Sequence, residues 1–185
     1  MPPLSCGVNG AAIAVSSDLA TTREAVEERL PKLARDGYRI TSPRDDSYNC
    51  VAWIVRDVRR WWGPGVDGFF WPRDVGDDFA DDGDLHEYVA AFSAAGFEAC
   101  SDGVLELGFE KIAVYSDGEY FEHVAYQCAD GEWSSKLGAL NDIRHASADS
   151  LCGPGLHEYS PIQFFMRRAR QGHPLAETGL ILPGS

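Results

Sequence analysis

Apolar residues recur along this chain with two different periods. Val26, Leu30 and Leu33 share one face of a helix predicted over residues 18 to 36, with Thr21 or Thr22 as its cap and Gly37 as its stop. Pro31 interrupts that pattern, so a kink or a second start is expected there. Val51, Ile54, Val55 and Val58 predict a second helix from Cys50 to Arg60, stopped by Trp61-Trp62-Gly63-Pro64-Gly65. Leu85, Tyr88, Val89 and Phe92 predict a third, Leu85 to Ala95, with Gly96 as its stop.

Beyond Gly96 the period falls to two. Strands are predicted at Phe109 to Tyr115, His123 to Gln127, Glu132 to Lys136 and Tyr159 to Arg168, with a short piece at Ile143 to His145. The turns Ser116-Asp117-Gly118-Glu119 and Ala129-Asp130-Gly131 separate them. Helices first and antiparallel strands after define an α+β fold, with N-terminal helices packed on a small antiparallel sheet. The expected organisation is a flexible leader over residues 1 to 17, one domain over 18 to 170 and a loose tail over 171 to 185.

Charge narrows the partners. The 185 residues carry 29 acidic and 16 basic side chains, a net charge of -13. Phosphate binding needs a basic surface, so nucleic acid is not the expected partner, and no apolar run is long enough to span a membrane. The five cysteines form no CxxC pair and the five histidines no HExxH pair. No metal, no cofactor, no disulfide framework and a reducing, cytoplasmic compartment are therefore the expectation.

Candidate chemistry centres on Ser47-Tyr48-Asn49-Cys50. A polar turn here delivers one thiol to a helix start, where free N–H groups and the helix dipole stabilise a thiolate. His123, at the start of a predicted strand, is the candidate base. The Cys50 N–H, with Asn49 or Ser47, supplies candidate oxyanion donors. For the orienting third group, a simple hairpin pairs His123 with Lys136 and puts Ser134 on the histidine's face, whereas a slip of one residue brings in Ser135. His145 competes as the base, and Asp142 as the orienting group. The aromatic loop from Trp61 to Pro72, with Trp62 and Trp71, is expected to shape a substrate cleft together with Trp53. A lone cysteine at a helix start is more often a small buried hydrophobe, so His123 carries much of this assignment.

This order of helix-initial cysteine, long insertion, strand-initial histidine and glycine-turned hairpin resembles the papain-like fold in its compact bacterial form, as in NlpC-like and CHAP-type amidases and peptidases. The resemblance implies Cys50 as nucleophile, His123 as base and a third residue within Ser134 to Lys136, where the usual Asn, Asp, Gln or His is missing. It implies hydrolysis of an amide or thioester bond in a peptide or other amide-containing substrate. An inactive papain-like binding or immunity module and an acyltransferase or transglutaminase-like enzyme are the alternatives. The motifs Tyr48-Asn49-Cys50-Val51-Ala52-Trp53 and Trp133-Ser134-Ser135-Lys136-Leu137-Gly138 further resemble a bacterial family with no assigned substrate.

Overall fold

The computed structural model describes residues 17–72 and 83–170; the expected leader and tail, and most of the acidic run after Pro72, lie outside them. Helix α1 (Ser17–Arg29) and helix α2 (Pro31–Asp36) divide the first predicted helix at Leu30. Proline occupies the first position of α2, where its missing N–H costs nothing. Gly37 ends α2 with φ 89°, a conformation that favours glycine, and leads into strand β1 (Tyr38–Ile40).

Helix α3 (Cys50–Ile54) is much shorter than the pattern predicts. Arg56 adopts φ 66°, which ends the helix, and its guanidinium turns inward to Glu110. Asp57 then accepts from the Arg59 N–H, Arg60 and the Trp62 indole, so the polar residues after Val55 make a turn of their own. Helix α4 (Leu85–Ala94) follows, capped by the Asp84 carboxylate on the His86 N–H.

Seven strands complete the fold: β1, then β2 (Glu98–Cys100), β3 (Phe109–Ser116), β4 (Phe121–Gln127), β5 (Trp133–Lys136), β6 (Asp142–His145) and β7 (Ile162–Ala169). They form one antiparallel sheet in the order β1-β6-β5-β4-β3-β7-β2. The sheet is larger than expected and is covered on both faces. Ile112, Val114, Val124 and Tyr126 meet Cys50, Val51, Ile54 and Phe92 of α3 and α4. Ala113, Tyr115, Ala125 and Ile143 meet Val26, Leu30 and Leu33 of α1 and α2. Strict alternation along β3 and β4 therefore fills two cores, as a period of two demands.

One buried ionic group ties the α3–α4 side to the sheet. Glu110 is fully buried and accepts from Arg56, from Arg168 and, at 2.9 Å, from the Tyr126 hydroxyl. Removing the carboxylate would leave two guanidiniums in a dry site. Glu110→Ala is expected to cost about 3 kcal/mol in urea unfolding, and Glu110→Gln less, because the amide oxygen still accepts.

Candidate functional site

Asn49 builds the start of α3. Its side-chain oxygen accepts from the Ala52 N–H at 3.1 Å and the Trp62 N–H at 3.3 Å, while its amide nitrogen donates to the Trp62 carbonyl at 2.7 Å. The amide is thus spent on capping and on fastening the aromatic loop, and it is not an oxyanion donor. Ser47 is exposed, and its N–H donates to the Asp45 carboxylate, so it too is corrected out of that role. Asn49→Ala is expected to destabilise the protein by about 1–2 kcal/mol, with Asn49→Asp recovering the cap but not the bond to the Trp62 carbonyl. Urea titration of the three proteins checks this.

Cys50 is buried, and three N–H groups are directed at its sulfur: its own, that of Val51 and that of Val124 on β4. They favour a thiolate, as does the charge of Lys136, but loss of water outweighs them and pushes the thiol up to about 11. A helix of five residues carries too little dipole to reverse that. The acidified thiol that the sequence position suggests is absent from this conformation.

His123 is the third residue of β4, not the first, and is 1% exposed. Its side chain lies with Tyr115 on the face opposite Val124. Tyr159 stacks flat on the imidazole, with centroids 4.4 Å apart and planes at 7°. Burial, then the nearby His145, hold the imidazole down at about 3. No hydrogen bond joins it to Cys50, and its Nε2 is buried without a partner. Thiol and imidazole therefore rest as two neutral groups on opposite faces of the sheet, Cys50 packed with Val124 and His123 with Tyr115 and Tyr159.

The third position is also corrected. Tyr126 pairs with Ser134 and Gln127 with Trp133, one residue out of the simple register. Ser134 therefore shares the Tyr126 face, turned away from His123, and cannot orient it. Ser135 takes the other face, but its hydroxyl is 3.1 Å from His145 Nε2, while His145 Nδ1 donates to the Ser147 carbonyl at 2.7 Å. That sets His145 Nε2 as the acceptor. Ser135 and His145 are both buried, and they satisfy each other instead of serving His123.

Lys136 and Asp142, paired across β5 and β6, lie on the cysteine side. Lys136 Nζ donates to the Asp45 and Leu140 carbonyls and sits 4.8 Å from the Tyr48 ring centre. The Tyr48 hydroxyl donates to Asp142 at 3.0 Å. This clamp holds the cysteine loop on the sheet. Among the described residues, Trp53, Trp62 and Trp71 line neither of the two cavities. They pack on the α3–α4 core, with Trp62 edge-on to Trp71 and Trp71 edge-on to Tyr88.

Among the described residues there is no cluster of three or more His, Cys, Asp or Glu that could hold a metal, and no helix is long and apolar enough to cross a membrane. Cys128 is disulfide-bonded, whereas Cys50, Cys100 and Cys152 are free thiols. The stacking of Tyr159 on His123 has no local signal, since Tyr159 stands in an ordinary position at the edge of a predicted strand.

The class defined by these elements is α+β, with a cysteine at a helix start beside a histidine strand. Residues 39–167 match the family described as a domain of unknown function (DUF7689), and the chain belongs to that family. No curated protein and no solved structure matches the chain.

Proposed function

We propose that this protein is a papain-like, cysteine-dependent hydrolase of amide or thioester bonds, with Cys50 as nucleophile and His123 as base. The observation that carries the reading is the meeting of the start of α3 with β4: the Cys50 sulfur is approached by the N–H of Val124, the neighbour of His123 in the chain. Tyr159, stacked on His123, also lies in the electrostatic field of Cys50.

This reading requires His123, which rests on the other face of β4 under Tyr159, to turn to the thiol when substrate binds; the thiol proton then passes to it as the sulfur attacks the carbonyl carbon. The tetrahedral intermediate collapses, the C–N or C–S bond breaks, and the imidazolium protonates the leaving amine or thiol. Water, deprotonated by His123, then releases the acid from the thioester and restores the thiol. The N–H groups of Val124, Val51 and Cys50, which are directed at the sulfur, are the candidate donors for the oxyanion. Because both groups rest neutral, thiolate forms with substrate bound, and free Cys50 alkylates slowly at neutral pH. An acyltransferase would share the first half of this cycle and differ only in the acceptor.

A second reading, a papain-like module that binds without turnover, is favoured by the orphaned His123 Nε2 and the raised Cys50 thiol. Incubation with a panel of peptide, isopeptide, cell-wall amide and acyl-thioester substrates separates the two. Turnover that is lost in Cys50→Ala supports the cysteine hydrolase; no turnover on any substrate supports the module; turnover equal in both proteins overturns Cys50 as the nucleophile.

A further inference from the structure

We propose that the cavity between α1, the cysteine loop, the β5–β6 turn and Tyr159 binds a carboxylate on a short apolar group, as at the C-terminal end of a peptide. The cavity holds about 390 Å³, within the range of small-ligand sites. Val26, Leu30 and Leu140 give it an apolar wall, and Arg29 and Arg44 line it as well. None of its lining residues is acidic.

The two arginines are what make the site specific. Neither guanidinium pairs with a carboxylate among the described residues, although acidic side chains outnumber basic ones in the chain. Arg44 donates through Nε to the Ala139 carbonyl at 3.2 Å, which steadies it and leaves its terminal nitrogens unused. Glu122, whose charge reaches Tyr159, is already held by the Ser160 N–H and hydroxyl, both at 2.7 Å, so it does not fill the site. A chain of net charge -13 repels free anions, and a local pair of cations over an apolar wall selects an anion that also buries hydrocarbon.

Tyr159 connects this cavity to the chemistry. Its ring forms part of the lining and lies flat on His123. That the ligand is the end of a substrate rests on the cysteine-hydrolase reading; the binding itself does not. The test is therefore run on the Cys50→Ala protein, by NMR titration at low salt with N-acetyl-Ala-Leu, its C-terminal amide and octanoate.

The peptide acid is expected to shift amides of the β5–β6 turn and of residues 157–159, and to bind at least about tenfold tighter than the amide. Arg29→Gln and Arg44→Gln, both at exposed positions, are each expected to weaken the acid and leave the thermal midpoint in place. Equal binding of acid and amide, tighter binding of octanoate, no shifts at all, or no effect of either arginine variant would overturn the proposal. Peptide-acid binding to a wild-type protein that turns over none of the peptide, isopeptide, cell-wall amide and acyl-thioester substrates would instead remove the hydrolase reading and leave the site.

Discussion

Cys50→Ala is expected to abolish turnover, by at least about a thousandfold, while leaving the fold intact. The side chain sits in a packed apolar cluster, so replacing a thiol by a methyl removes one sulfur and costs about 1 kcal/mol or less of stability. Activity and stability therefore separate at this residue. At pH 7 a thiol with a pKa of about 11 is thiolate in about one molecule in ten thousand, so the proposed reaction needs His123 to take its proton. His123→Ala is accordingly expected to lose most of the activity as well. Its activity should recover in part at high pH, where hydroxide replaces the base. Steady-state rates for the three proteins between pH 6 and 10 check this. A wild-type rate that Cys50→Ala retains would remove the thiol from the reaction.

The second large effect is on stability in acid. His123 and His145 are buried, and their imidazoles are held at about 3 and about 4, against 6.5 for a free group. A depressed pKa means that the folded state refuses a proton which the unfolded state accepts. The stabilisation is therefore fully present above pH 6.5 and is lost as pH falls towards 4 and 3. Near pH 5 unfolding takes up two protons at these sites, a slope of about 2.7 kcal/mol per pH unit. Each histidine accounts for roughly 3–5 kcal/mol over the whole window. Urea midpoints measured from pH 7 to 4.5 should fall steeply, before ordinary carboxylates titrate. His145→Gln should halve the slope. A flat profile down to pH 5 would show that neither imidazole is sealed from water.

Much of the fold was legible because burial on a covered sheet leaves a plain imprint. The period-two runs of β3, β4 and β7 and the helical stripe of α4 were readable from side chains alone. The break before Pro31 was equally plain. What was missed follows from forces that act at a distance along the chain. Helix α3 ends early because Arg56 turns to Glu110, 54 residues away, and no local propensity encodes that. Strand β2 has no apolar alternation. It exists because β7 offers it an edge, with Arg167 joined to Glu98 at 3.1 Å.

The site shows the same division. A polar turn before an apolar run predicted Cys50 at a helix start, where it stands, and His123 was predicted to start a strand in which it is the third residue. The β4–β5 register, by contrast, slipped by one residue, and that single slip exchanged Ser134 for Ser135 on the histidine's face. Asn49, read as an oxyanion donor, is an N-cap, and the two look alike in a sequence. Burial, which decides the protonation of both Cys50 and His123, is a property of the assembled core. The aromatic residues, read as a cleft, turned out to be packing on that core.

The most direct measurement is capture of the acyl-enzyme. The protein is mixed with an N-acyl thioester and quenched in acid, and its intact mass is recorded before and after digestion. The hydrolase account expects a single acyl group on Cys50, absent from Cys50→Ala and formed more slowly in His123→Ala. No acyl group on Cys50 while the thioester is consumed, or acylation of Cys100 and Cys152 at the same rate, would contradict it.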